Sequence, residues 1–195
     1  PSLAIERKVH LLFEAIAIYQ DPDRLPMDDM VISTYQQVVD LSPTNARALD
    51  DLSQHYEDRE RWSDLLGILA KRVEVSEDPI ELLDLFLQIG NIYIERTRSP
   101  MQAVPVLERI LEMDPANLEV LQKLRELYRR KHDMERLYAT YEQELRYLDG
   151  EEELQVLVEM AELATDTLTR PDEAVQWWER ILEVRPGHRR ATQAL

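Results

Sequence analysis

The sequence predicts an all-α fold, an α-solenoid in which antiparallel helix pairs wind into a right-handed superhelix. Three observations predict it: apolar residues recur at helical spacing, prolines and glycines fall at helix-length intervals, and one stretch repeats itself along the chain. From Pro79 to Thr97, Leu82, Leu85, Phe86, Ile89, Ile92 and Tyr93 follow one another at steps of three and four, which puts them on one helix face. Breaks come at Pro26, Pro43, Pro79, Pro100, Pro115, Gly150, Pro171 and Pro186-Gly187, so helices of about 14 to 20 residues are expected between them. Ser99-Pro100 reads as a helix start, with a hydroxyl to cap free N–H groups and a proline whose missing N–H costs nothing in the first turn. Pro105, five residues further on, should kink or tighten that helix.

The repetition orders the elements. Pro100–Pro115 aligns with Pro171–Pro186, matching Ala103 to Ala174, Leu107 to Trp178, Ile110 to Ile181 and Pro115 to Pro186. In the other direction the same stretch reaches Val31, Tyr35, Val38 and Pro43. The helix before it behaves likewise: Phe86, Ile89, Gly90 and Tyr93 map onto Leu157, Met160, Ala161 and Ala164, and onto Leu12, Ala15, Ile16 and Tyr19. The repeating unit is about 72 residues and consists of two helix pairs. Five pairs result, over 4–43, 44–78, 79–115, 116–150 and 151–186, with 187–195 opening a sixth. The first carries an inserted turn, Asp21–Asp29. The second (Leu49, Leu52, Ser53, Tyr56, Leu65, Leu69) and fourth (Leu121, Leu124, Arg125, Tyr128, Leu137, Tyr141) lack the small residues and the final proline of the others. Where helix A is small (Gly90, Ala161), helix B offers Ala103 or Ala174; where it is Ser53 or Arg125, helix B offers Leu65 or Leu137. Tight and loose pairs should therefore alternate.

These residues resemble the tetratricopeptide repeat family, whose helix pairs of about 34 residues carry a large residue, leucine, a small residue and tyrosine in helix A, then alanine, a large residue, alanine and proline in helix B. The third pair is nearest the pattern. The resemblance covers nearly the whole chain, in the style of long bacterial arrays, and implies one domain over 1–195 whose stacked repeats share a core and offer a curved binding surface. Because the chain starts at Pro1 rather than Met, an excerpt of a longer protein is expected.

Composition narrows the function. The 195 residues include 39 acidic and 23 basic side chains, for a formal charge of −16, which disfavours a phosphate backbone as partner. Four glycines leave no glycine-rich phosphate loop, and the absence of cysteine excludes thiol chemistry and thiolate metal sites. No apolar run is long enough to suggest a membrane span. His10, His55, His132 and His188 show no i, i+4 pairing, and no nucleophile–base arrangement is visible, so no enzyme, cofactor or metal is expected. The compartment stays open, with cytoplasmic favoured.

The expected role is that of a protein-interaction scaffold or adaptor. Counting along each helix A from its first core position gives an inner face of Phe13, Ala17, Asp50, Asp51, Gln54, Glu57, Asp84, Leu87, Asn91, Ile94, Gln122, Glu126, Val158, Glu159 and Glu162. Such an acidic groove with apolar spots suits a basic, partly apolar peptide, helix or protein surface, for instance that of a small regulatory protein. Some family members grip a partner's C-terminal carboxylate with lysine, asparagine and arginine here; with only Asn91 and Lys123 of that kind, this chain is not expected to. Tyr19, Tyr56, Tyr93 and Tyr128 share one repeat position, and Tyr35, Tyr141 and Trp178 another, which reads as packing. Trp177 should either pack against a sixth repeat or stand exposed as an anchor. The alternative role is a structural spacer, self-associating through the C-terminal edge, or a regulatory domain of a larger protein. The cluster Arg129, Arg130, Lys131 and His132 reads as cations complementing a helix C-terminus.

Overall fold

The structure is a computed structural model that describes residues 2–21 and 27–195; the Pro26 break, most of the inserted turn and Pro1 lie outside the described residues. Among those described there are eleven α-helices and no strand. The chain divides into two compact units, Pro1–Ser99 and Pro100–Leu195.

In the first unit, α1 (Leu3–Tyr19), α2 (Asp28–Leu41), α3 (Ala46–Asp58), α4 (Trp62–Val75) and α5 (Pro79–Glu95) each pack on the next in chain order. Their helical periodicity turns Ile16, Val31, Tyr35, Val38, Leu49, Leu52, Tyr56, Leu69 and Ile89 inward. The Asn45 side chain caps α3 by accepting from the Ala48 N–H at 3.0 Å, and Asp78 caps α5 through the Ile80 N–H. Gly90 is buried on α5.

The second unit opens with a 3-10 turn, Pro100–Gln102, followed by α6 (Ala103–Met113), α7 (Leu118–Lys131), α8 (Met134–Glu144), α9 (Gly150–Asp166), α10 (Pro171–Val184) and α11 (Arg189–Ala194). The expected start at Ser99-Pro100 is thus replaced by a tighter turn. The α-helix begins only at Ala103, so Pro105 falls in its first turn, where no N–H partner is needed. Gly150 enters α9 with φ 61, a left-handed conformation that a Cβ would disfavour. In the α9–α10 hairpin, Ala161 and Ala174 are both buried.

Three helices end on a left-handed residue that is not glycine: Glu60 (φ 54), His132 (φ 58) and Thr169 (φ 50). The following N–H groups of Arg61, Asp133 and Arg170 turn back to the Tyr56, Tyr128 and Ala164 carbonyls, satisfying acceptors that the helix leaves open.

The two units reuse one arrangement 72 residues apart. Arg61 donates to Asp64 at 2.8 Å in the first; Asp133 and Arg136 hold the same two positions in the second with the charges exchanged. In both, the guanidinium lies over a helix A tyrosine, Arg61 at 4.9 Å from the Tyr56 ring centre and Arg136 at 5.8 Å from that of Tyr128.

Arg125, at a position small in the third and fifth pairs, is accommodated by charge. It donates to Glu144 Oε2 at 2.8 Å and lies 4.8 Å from the Tyr141 ring centre. Glu144 is 1% exposed, and its burial raises the carboxyl pKa against the lowering effect of Arg125.

Candidate functional site

Each unit holds an open cleft at the junction of one helix pair with the next helix A. In the first, a cleft of about 410 Å³ is lined by Ser53 and Glu57 of α3, Trp62 and Leu65 of α4, and Gln88, Asn91, Ile92, Glu95 and Arg96 at the end of α5. In the second, a cleft of about 460 Å³ has Arg129 where the first has Glu57, Met134 for Trp62, Leu137 for Leu65, and Glu159, Glu162, Leu163, Asp166 and Thr167 for Gln88, Asn91, Ile92, Glu95 and Arg96. A second pair of clefts repeats in the same way. Gln36, Leu52, Tyr56, Asp64 and Gly67 line one, and Glu108, Leu124, Tyr128, Arg136 and Ala139 the other, each 72 residues on.

The two junction clefts differ in charge. In the second unit the acids already hold cations from the same chain: Arg129 donates to Glu159 at 2.8 Å, and Arg190 pairs with Glu162 and reaches Asp166 at 3.9 Å. The Tyr141 hydroxyl also donates to Glu159 and accepts from Arg129 at 2.6 Å. In the first unit neither Glu57 nor Glu95 forms an ion pair among the described residues, and the cleft's own cation, Arg96, lies instead over the Trp62 ring at 5.3 Å. The first cleft is therefore the one with acid available to a partner.

The residues expected on the inner face distribute unevenly. Glu57 and Asn91 meet in the first cleft, and Glu159 and Glu162 in the second. Asp50 is turned to a smaller cleft, where it pairs with Arg72 at 3.1 Å, the same guanidinium that holds Glu81. Asp51 accepts from the Tyr35 hydroxyl at 2.8 Å and faces Arg47. Phe13 is half-buried, edge-on to Tyr35 and covered by Arg47 at 4.8 Å. Leu87, Ile94 and Val158 are half-buried, while Ala17, Gln54, Asp84, Gln122 and Glu126 are exposed. Gln54 is bonded to Asp58 and Glu126 to Arg130.

Two expectations change. Trp177 neither awaits a sixth repeat nor stands free: it is half-buried, and its indole N–H donates to the Tyr138 hydroxyl of the preceding helix pair at 2.6 Å. Arg129 does more than complement the α7 C-terminus, since it bridges to α9 through Glu159. Two histidines are structural: His188 caps α11 by accepting from the Ala191 N–H at 3.3 Å, and the His55 ring lies 5.7 Å from that of Tyr35. Trp62, Gln88, Glu95 and Arg96 were not singled out by the sequence. The available signal was the 72-residue period itself, which sets Trp62 opposite Met134 at the first residue of helix B.

Among the described residues, no group of three or more histidines, cysteines or carboxylates is disposed to hold a metal ion, and no helix is long and apolar enough to cross a membrane.

Tandem helix pairs of this kind define a helical-repeat protein of the α-solenoid class. No protein-family model matches the chain, and no curated protein matches it. It is similar to solved structures of the tetratricopeptide repeat kind that its repeated residues resemble. MamA is 19% identical over 91% of this chain and 92% of its own, with a TM-score of 0.45. YrrB, described as a TPR protein with an unusual peptide-binding site, is 14% identical over 100% and 91%, with a TM-score of 0.47. PilF of Pseudomonas aeruginosa is 16% identical over 85% and 72%, with a TM-score of 0.45.

Proposed function

We propose that this chain is a non-catalytic protein-interaction scaffold that takes a basic, partly apolar segment of another protein, and that the cleft between α3, α4 and α5 is where it binds first. The observation that carries the reading is the contrast between the two equivalent clefts. In the second unit Arg129 and Arg190 already occupy the acids, whereas Glu57 and Glu95 in the first have no ion pair among the described residues. With a formal charge of −16, the chain attracts cationic partners over long range, and the half-buried Trp62 supplies apolar contact area once they arrive. Of the other expected inner-face residues in the same unit, the half-buried Phe13, Leu87 and Ile94 then serve as apolar contacts.

The test is capture of partners from lysate of the source organism at two salt concentrations, with the wild type and with Glu57→Lys/Glu95→Lys. Glu183→Lys, an exposed charge reversal in the second unit outside the expected inner face, is the control. A partner held at low salt, released at high salt and lost only in the double variant supports the reading. Retention by the double variant moves the site away from this cleft.

A further inference from the structure

Resting on that reading of the α3–α5 cleft, we infer that it recognises an arginine side chain, and that Arg96 is a resident cation which the incoming arginine displaces from Trp62. Trp62 is the first residue of α4 and stands half-buried as a wall of the cleft. Arg96, exposed at the C-cap of α5, places its guanidinium 5.3 Å from the Trp62 ring centre, the geometry of a cation on an aromatic face. It makes no ion pair among the described residues, although Glu57 and Glu95 line the same cleft. Arg96 is therefore held there by stacking, and a second guanidinium can replace that stacking while adding contacts to the two carboxylates.

The chemistry favours arginine over lysine. A guanidinium is planar and weakly hydrated, so it loses little water on stacking against indole, and its five N–H donors can serve a ring face and carboxylates at once. An ammonium is a compact, strongly hydrated charge that cannot stack. The equivalent cleft of the second unit lacks these features, with Met134 in place of Trp62, Thr167 in place of Arg96 and Arg129 in place of Glu57. The site thus belongs to the first unit alone.

The probes are blocked pentapeptides with one central arginine, lysine or glutamine, titrated into the full chain at low salt while the Trp62 indole N–H is followed by NMR. That signal is assigned from its loss in Trp62→Phe. Arg96→Ala is expected to bind the arginine peptide about three- to fivefold more tightly than the wild type, the range of one exposed cation–aromatic contact. Arg98→Ala, which removes the same charge two residues away on an exposed side chain, is expected to leave the affinity unchanged. Trp62→Leu, titrated by calorimetry because the indole signal is gone, should lose the preference for arginine over lysine, and Trp62→Phe, which keeps an aromatic face, should retain part of it by the same measurement; helix content by circular dichroism checks that both fold. Equal gains in Arg96→Ala and Arg98→Ala, or equal binding of the arginine and lysine peptides by the wild type, overturn the inference. If Glu57→Lys/Glu95→Lys still loses the lysate partner in that case, the cleft stands as the binding site without arginine selectivity. If the double variant keeps the partner, both readings fall.

Discussion

Trp177 on α10 donates its indole N–H to the hydroxyl of Tyr138 on α8 at 2.6 Å. The same hydroxyl donates to Glu173 Oε2 at 2.7 Å, and the Arg170 guanidinium lies 5.2 Å from the Tyr138 ring centre. One phenol thus ties the fourth helix pair to the fifth. A side chain that sequence reasoning assigned to an open edge is instead half-buried against the preceding helix pair.

Tyr138→Phe is therefore expected to destabilise the second unit. It keeps the ring and its packing but leaves the Trp177 N–H and one Glu173 oxygen without this partner, at a cost of about 1–3 kcal/mol. Trp177→Phe removes the donor and part of a half-buried ring but keeps the Tyr138–Glu173 bond, and should cost less. Urea unfolding of both variants checks the order. Equal losses would mean that the Tyr138–Glu173 bond adds nothing beyond the indole contact.

The left-handed helix ends give a prediction of the opposite sign. Thr169 holds φ 50 with a β-branched side chain, the least favourable type for that region, between α9 and α10. Thr169→Gly should relieve about 1–2 kcal/mol of backbone strain, partly offset by the greater freedom of glycine in the unfolded chain. The net expectation is a melting temperature raised by a few degrees. His132→Gly should gain less, because histidine tolerates this conformation better than threonine. A lower melting temperature for Thr169→Gly would show that the side chain contributes more than its backbone costs.

What the sequence made legible follows from what a helix repeats. Ile89, Tyr56 and Tyr128 recur with the period of the helix and of the 72-residue unit, so burial could be read from spacing. Of the fifth and eighth places after each first core position, Glu57, Asn91, Arg129 and Glu162 line the two junction clefts, whereas Gln54, Ile94, Glu126 and Thr165 do not. Trp62 and Arg96 escaped because they sit at helix ends, where the left-handed turn at Glu60 and the C-cap of α5 set their direction rather than helical periodicity. Asp50 and Asp51 looked like adjacent groove acids. Their orientation depends instead on partners in α4 and α2, which local counting does not contain. Arg125 read as a break in the small-residue pattern. Its compensation, Glu144, lies 19 residues on in the partner helix, too far for periodicity to connect the two.

Alkaline pH should unfold the chain over a defined window. Burial first, and then a carboxylate acceptor, push the phenols of Tyr35, Tyr128, Tyr138 and Tyr141 from 10.0 up to about 12. Each phenol stays neutral in the folded chain at a pH where it would ionise once unfolded. The stability it contributes is fully present below pH 10 and is lost as the pH rises through about 12. A shift of that size corresponds to an upper limit of about 3 kcal/mol per phenol, and solvent screening lowers it. Three of the four lie in the second unit, bonded to Glu108, Glu173 and Glu159, so that unit has more to lose. Helix content by circular dichroism should fall in one steep step between pH 10 and 12, and the phenolate absorbance of these four among the eight tyrosines should appear in that same step. Phenolate absorbance equivalent to all eight tyrosines with helix content intact would mean that these hydroxyls are open to solvent and that their bonds to carboxylates do not hold the helix pairs together.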